Sequence, residues 1–405
     1  MIIAGHDIGS GGLITTILEM CFAENNLGAN IDFSLINEED SIKLLFSENP
    51  AIVIQAKDES IENVFKNKGI NYYKIGNVTS NKTISIKNHL DTYQLDVEEY
   101  RDYWFKTSML LDKKQTANNL SEIRYQNYKN QPLDFKFPSN FSGKIPKIEE
   151  IKNKPKAAVI REKGSNSERE LANALFLAGF QVKDIHMTDL ITGRENLEDV
   201  QFIGTVGGFS NSDVLGSAKG WAGAFLYNEK AKESINNFIS RKDTLSIGVC
   251  NGCQLFMELE VVNPDHEIHG KMTFNDSNKH ESGFTSINIQ KNNSIMMSSL
   301  ENCNLGVWIS HGEGKFNLPY SEDKYNIIAK YTYESYPSNP NGSDFNIAMM
   351  SSSDGRHLVT MPHIERSIFQ WNWAYYIRER NDKVSPWIQA FINARDWIIS
   401  YNSKK

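Results

Sequence analysis

Leu245-Ser246-Ile247-Gly248-Val249-Cys250-Asn251-Gly252-Cys253-Gln254-Leu255-Phe256 is the stretch on which the fold turns. A short, mostly apolar strand runs straight into a cysteine. Helix-like sequence follows at once, with Gln254, Leu255, Phe256, Met257 and Leu259. Strand, sharp turn and helix in that order make a nucleophile elbow, which lifts one side chain to the carboxyl end of a sheet. Gly248 and Gly252, each two residues from the cysteine, let the turn pass close to its neighbours. A sulfur at a helix N-terminus meets free N–H groups and the positive end of the helix dipole, which favour a thiolate. Cys253, one helical turn in, reads as packing. The Cys250-x-x-Cys253 spacing alone also fits a redox or metal pair, but no second such pair and no histidine cluster accompanies it.

Strand and helix patterns alternate on the N-terminal side of the elbow. Ala157–Ile160 reads as a strand, and Ser165-Asn166-Ser167-Glu168 supplies cap residues for a helix. That helix carries Leu171, Ala174, Leu175 and Ala178 on one face and stops at Gly179. Phe202–Val206 is a second strand, running into Gly207-Gly208-Phe209-Ser210, and Leu245–Val249 is the third. The pattern predicts an α/β domain, a mostly parallel sheet with helices on both faces and a site beyond its carboxyl edge. Backbone N–H groups of the Gly-Gly turn, at Gly208, can form an oxyanion hole with the N–H of Asn251. A thiolate nucleophile needs a base, and the base needs an orienting group. Leu358-Val359-Thr360-Met361-Pro362-His363-Ile364-Glu365 offers both, because residues two apart in an extended segment share a face.

Residues 1–129 read as a separate α+β segment. Asp7–Gly12 is a glycine-rich turn, followed by a helix with Leu13, Ile14, Ile17, Leu18 and Cys21 on one face. Ala51–Gln55 is a strand, Asp58–Lys68 a helix ended by Gly69, and Tyr72–Val78 and Lys82–Lys87 two further strands. Residues 130–155, punctuated by Pro132, Pro138, Gly143, Pro146 and Pro155, predict a linker, with the second domain over 156–405. Lys plus Arg number 43 against 50 Asp plus Glu, a net charge of −7 without a long basic run. That balance argues against nucleic-acid or anionic-membrane binding. No apolar run reaches the roughly 20 residues of a membrane span, and the start carries no basic, cleavable leader. Four cysteines in 405 residues make no disulfide scaffold, so a reducing cytoplasm is expected.

Cys-x-Gly-x-Gln on an elbow, the upstream Gly-Gly turn and the downstream Pro-His-x-Glu resemble class I glutamine amidotransferase domains, which have a flavodoxin-like parallel sheet with flanking helices. Longer strings are more specific. Gly207-Gly-Phe-Ser-Asn-Ser-Asp-Val-Leu-Gly-Ser-Ala-Lys-Gly-Trp-Ala222, Thr244–Gln254, His311-Gly-Glu-Gly-Lys315, Tyr336–Ser343, Met361–Arg366 and Gln370-Trp-Asn-Trp373 resemble the phosphoribosylformylglycinamidine synthase family. The resemblance covers essentially the whole chain. Residues 1–125 are similar to the C-terminal subdomain of that family's second aminoimidazole-ribonucleotide-synthetase-like half. The resemblance implies that Cys250 attacks glutamine to form a thioester and that His363, held by Glu365, moves the protons. It implies that Gly208 and Asn251 hold the oxyanion and that Gly207, Phe209 and Gln254 line the glutamine pocket. No metal is expected there. The ammonia would reach a synthetase site using ATP and Mg²⁺, where formylglycinamide ribonucleotide becomes the amidine. Upstream synthetase domains or a separate synthetase polypeptide would be the partner, since the chain is about a third of the family's single-chain length and begins almost at the glycine turn. Gly9 and Ser10 stand at that turn in place of the family's Ser and Asp, so no ATP residue is carried onto it.

His311-Gly312-Glu313 follows an apolar strand and reads equally as a second histidine at the site or as a turn shaping the pocket wall. His266, His269 and His280 read as surface residues, and Trp371, Trp373, Trp387 and Trp397 as core or interdomain packing. Two other classes compete: a cysteine hydrolase of the same fold acting on γ-glutamyl compounds, and a non-enzymatic module. The attached synthetase-like segment argues against the first and the complete Cys–His–Glu set against the second.

Overall fold

The computed structural model describes residues 2–24, 26–130, 133–151 and 153–404; Pro132, counted in the linker, lies outside them. The chain divides into two compact units, Met1–Lys114 and Gln115–Lys405.

In the first unit, Ile2–Asp7 pairs antiparallel with Ile52–Ala56. A separate four-stranded sheet runs in the order Gly76–Thr79, Gly28–Asp32, Thr83–Asn88, Asp91–Asp96, with only its central pair parallel. Helix Gly12–Phe22 buries the predicted stripe Leu13, Ile14, Ile17, Leu18 and Cys21, which joins Phe33, Ile84 and Ile86 in a small core. Helix Ser60–Lys68 ends at Gly69 in the left-handed conformation, as its sequence requires. The strand expected from Tyr72 begins only at Gly76.

The second unit is built on one nine-stranded sheet. Its order is Asn304–His311, Glu281–Ile289, Asn326–Tyr331, Ile347–Ser351, His357–Thr360, Leu245–Val249, Phe202–Thr205, Lys156–Arg161, Gln181–His186. The last five strands are parallel, as predicted from the elbow outward. The first four form an antiparallel extension that the sequence pattern did not announce. Parallel strands are covered on both faces and therefore read as unbroken apolar runs; Phe202–Thr205, Leu245–Val249 and His357–Thr360 are buried throughout. Helices Glu168–Ala178, Lys219–Tyr227, Glu229–Ser240 and Ile388–Asn402 bury Leu171, Trp221, Ile235 and Phe391 into the core.

The described residues of the proline-punctuated stretch 130–155 belong to this second unit. Phe135 enters the core, Lys136 bridges to Asn304, and Phe137 meets Trp373 edge-on at 5.7 Å. Three phenylalanines anchor a segment whose Pro and Lys content otherwise reads as solvated. Ala117 N–H donates to Ser277 O (2.9 Å), so residues just past Lys114 are likewise tied into the second unit. Trp373 and Trp387 are buried, but Trp371 is 77% exposed, stacked on Phe369 rather than in the core. Among the described residues, no helix is long and apolar enough to cross a membrane.

Candidate active site

Three parallel strands deliver the predicted site residues to one edge. Leu245–Val249 ends at Cys250, Phe202–Thr205 leads into Gly207-Gly208, and His357–Thr360 leads to His363. Cys250 caps helix Asn251–Glu258 with φ 50° and ψ −103°. A non-glycine residue in that region costs on the order of 1–3 kcal/mol and persists only where its surroundings impose it. Here they do. A Cβ on Gly252 would strike the Thr205 carbonyl, and one on Gly248 would strike the Gly252 carbonyl, so strand and helix meet backbone to backbone.

The Cys250 Sγ donates to Ser310 O at 3.4 Å. His363 is held by its backbone N–H on Trp308 O (2.8 Å) and by Nδ1 on Glu365 Oε1 (2.5 Å). Its ring and Cys250 Cβ lie 2.6 and 3.5 Å from the point where a Gly207 Cβ would stand. Burial alone would lower the imidazole pKa. The Glu365 carboxylate, then the neighbouring Cys250, overcome it and raise the value to about 9. Burial likewise opposes the Glu365 carboxylate, yet His363 and then Arg366 hold its pKa below the ordinary value. The pair is therefore an imidazolium–carboxylate ion pair next to the sulfur. Cys253 is fully buried and its thiol is pushed up by desolvation, in keeping with packing.

The other predicted residues surround this pair. Gly207-Gly208 pairs antiparallel with Ser165-Asn166, and Gly207 N–H donates to Ser167 Oγ at 3.3 Å. Gly208 has φ 106°, and a Cβ there would lie 2.6 Å from Asn166 N. Asn251 is the first residue of the elbow helix; its side chain accepts from Ser210 N–H (3.2 Å) and donates to Gln254 Oε1 (2.9 Å). Gln254 is buried and donates to Glu313 O at 2.6 Å. Phe209 stands half-exposed at the rim, its ring 5.8 Å from that of His280. His280 is exposed, as expected, but its Nε2 reaches Ser310 Oγ at 3.1 Å, directly beside the sulfur's partner. The turn of Glu313 is one of the two sequence readings of His311-Gly312-Glu313, but Ser310 and Trp308 escape sequence reasoning, because each acts through a backbone carbonyl and leaves no side-chain signature. Among the described residues, no cluster of His, Cys, Asp and Glu is arranged to hold a metal.

In the first unit, the Gly11 N–H of the glycine turn donates to Glu48 Oε1 at 2.9 Å.

Residues 154–398 match the family described as CobB/CobQ-like glutamine amidotransferase domain. Residues 1–88 match that of the AIR synthase related protein, C-terminal domain. A probable phosphoribosylformylglycinamidine synthase of Caenorhabditis elegans is 36% identical over 98% of this chain and 33% of its own. Phosphoribosylformylglycinamidine synthase of Homo sapiens is 34% identical over 98% of this chain and 32% of its own. The chain thus spans about a third of the length of the curated relatives it matches. A solved Thermotoga maritima structure, titled as that of PurLQS, aligns with 62% of this chain and 100% of its own at 23% identity and a TM-score of 0.47. With more than half of its length matched by one family model, the chain belongs to the CobB/CobQ-like glutamine amidotransferase domain family.

Proposed function

We propose that the second unit hydrolyses glutamine at Cys250 and supplies the ammonia to a phosphoribosylformylglycinamidine synthase reaction. The observation that carries the reading is the buried His363–Glu365 pair held against a cysteine on a strained elbow. The Cys250 thiolate, paired with the protonated His363, attacks the glutamine carboxamide carbon. N–H groups of Gly208 and Asn251 receive the developing oxyanion, each donor being worth about 10²–10³ in turnover. The protonated His363 gives its Nε2 proton to the departing nitrogen, leaving a glutamyl thioester on Cys250. The neutral imidazole then takes a proton from water, which attacks the thioester and releases glutamate. Gln254 is locked between Asn251 and the Glu313 carbonyl, and with Gly207 and Phe209 it lines the space the substrate side chain enters.

Residues 1–129 are then part of a synthetase-like domain, 130–155 the connecting segment and 156–405 the glutaminase. ATP with Mg²⁺ would activate formylglycinamide ribonucleotide on upstream synthetase domains or a separate polypeptide, and the ammonia would complete the amidine. The relatives' names and the second family match support that placement. The four free, buried cysteines fit a reducing cytoplasm.

The test is covalent labelling with a glutamine-mimicking diazoketone, followed by peptide mapping. Labelling confined to Cys250 and suppressed by glutamine is expected. Cys250→Ala should abolish label and glutamine use while ammonia-dependent synthesis by the completed enzyme survives. Equal loss of both activities would remove Cys250 from the glutaminase role.

A further inference from the structure

The turn that carries Glu313 has little structure of its own. It links strand Asn304–His311 to Lys315–Asn317, and its carbonyl at Glu313 is what Gln254 Nε2 binds. Asn275, 2% exposed, donates its backbone N–H to Gly312 O (2.9 Å). Its Nδ2 donates to His311 O (2.8 Å) and Lys279 O (3.0 Å). Its Oδ1 accepts from Gly314 N–H (3.1 Å) and from His311 Nδ1 (3.1 Å). All four hydrogen-bonding positions of the side-chain amide are filled, and the Glu313 carbonyl is left to Gln254.

We propose that Asn275 and His311 are a positioning pair that sets the wall of the glutamine pocket, and through it the placement of Gln254. The proposal rests on the glutaminase reading and names a part of that site. The amide's orientation is fixed, since Nδ2 faces two carbonyls; Oδ1 must then receive a proton from Nδ1 of His311. The ring is thereby held in one tautomer. It packs so closely on the turn that a Cβ at Gly314 would lie 2.5 Å from His311 Nδ1. Asn341 Nδ2 holds Gly314 O from the opposite side at 2.8 Å. Glu313 Oε2 accepts from Ser217 N–H (3.2 Å), which ties the turn to the loop that continues from Gly207-Gly208. Loosening the turn should therefore blunt recognition of glutamine without touching the reactivity of the thiol.

Two reagents separate those effects in the full chain: the diazoketone, which needs the glutamine pocket, and iodoacetamide, which needs only an accessible thiolate. Asn275→Ala should slow diazoketone labelling of Cys250 by about ten-fold or more, through the half-saturating concentration rather than the limiting rate. Iodoacetamide rates should stay within about two-fold. His311→Asn keeps an N–H where Nδ1 stands and should label within about three-fold of wild type; His311→Gln moves the donor away and should behave like Asn275→Ala. If Asn275→Ala does not fold, the two His311 variants decide. Wild-type diazoketone kinetics in Asn275→Ala or His311→Gln, or equal slowing by both reagents, would overturn the positioning role. A wild-type chain that reacts with iodoacetamide but never with the diazoketone would instead bring down the glutaminase reading on which the pair depends.

Discussion

Two histidines lie buried at the same edge of the sheet and are held in opposite states. His363 follows the last strand of the parallel half, and His311 ends the outermost strand of the antiparallel half. Neither is more than 2% exposed. Burial pushes both imidazoles toward the neutral form. His363 faces the Glu365 carboxylate and Cys250, and its pKa rises to about 9. His311 faces the neutral amide of Asn275, and burial together with the charge of His363 takes its pKa down to about 3. The partner, not the depth, decides the state. One ring can carry a proton between sulfur and substrate; the other is a fixed hydrogen-bond donor.

The contrast breaks most sharply at Glu365. Glu365→Gln leaves the imidazole a neutral amide partner, much as His311 has, and burial then dominates. Glutamine hydrolysis should fall by about 10²–10⁴ in kcat/KM, the usual weight of a positioned acid–base group. Folding should be retained, because the side chain keeps its size. A loss below about ten-fold would mean that the ion pair is structural and that His363 does not shuttle the proton. Gly207→Ala acts on geometry instead of charge. Its methyl would stand 2.6 Å from His363 Cε1 and 3.5 Å from Cys250 Cβ, prising ring and sulfur apart. A loss of about 10²-fold is expected, in line with the cost of a misplacement near 1 Å. Gly283→Ala, in the antiparallel half with open space around its Cβ position, serves as the control and should be near wild type. Comparable rates for both variants would show that the close contact at Gly207 is not required.

The two halves also differed in how far the sequence disclosed them. The parallel half was legible because its chemistry is local. An elbow needs its strand, small residues and helix within about ten positions, and Pro362-His363-Ile364-Glu365 carries base and orienter in four. The antiparallel half works through non-local pairing and backbone carbonyls. Ser310 O meets the sulfur, Trp308 O fixes His363 and Glu313 O holds Gln254, yet none of these needs a particular side chain. Asn275 lies in a polar loop, 36 residues from the His311 it grips, and nothing in Phe274-Asn275-Asp276-Ser277 marks it. The packing of the segment 130–155 was less legible: three phenylalanines anchor it, while its composition is rich in prolines and lysines. Trp371 shows the converse, a large apolar residue left outside by a short 3₁₀ turn.

The smallest expected effect, and the one that isolates the ion pair from everything else, is on stability against pH. An unfolded histidine titrates near 6.5. His363 binds its proton more tightly in the fold, so its contribution is fully present below pH 6.5 and is lost as the pH rises to about 9. Glu365, with its carboxyl held low, contributes above about pH 4.5 and loses that contribution as the pH falls through its lower folded value. His311 and His357 run the other way. Their pKa values of about 3 and 4 mean that the unfolded chain takes up protons the fold refuses, so stability falls from pH 6.5 downward. Wild type and Glu365→Gln share the His357 component, and it cancels in their difference. The melting-temperature advantage of wild type over Glu365→Gln should therefore be largest between about pH 5 and 6.5 and should shrink steadily toward pH 9. A constant gap across that range would mean that His363 is neutral in the fold, and the opposition between the two buried histidines would dissolve.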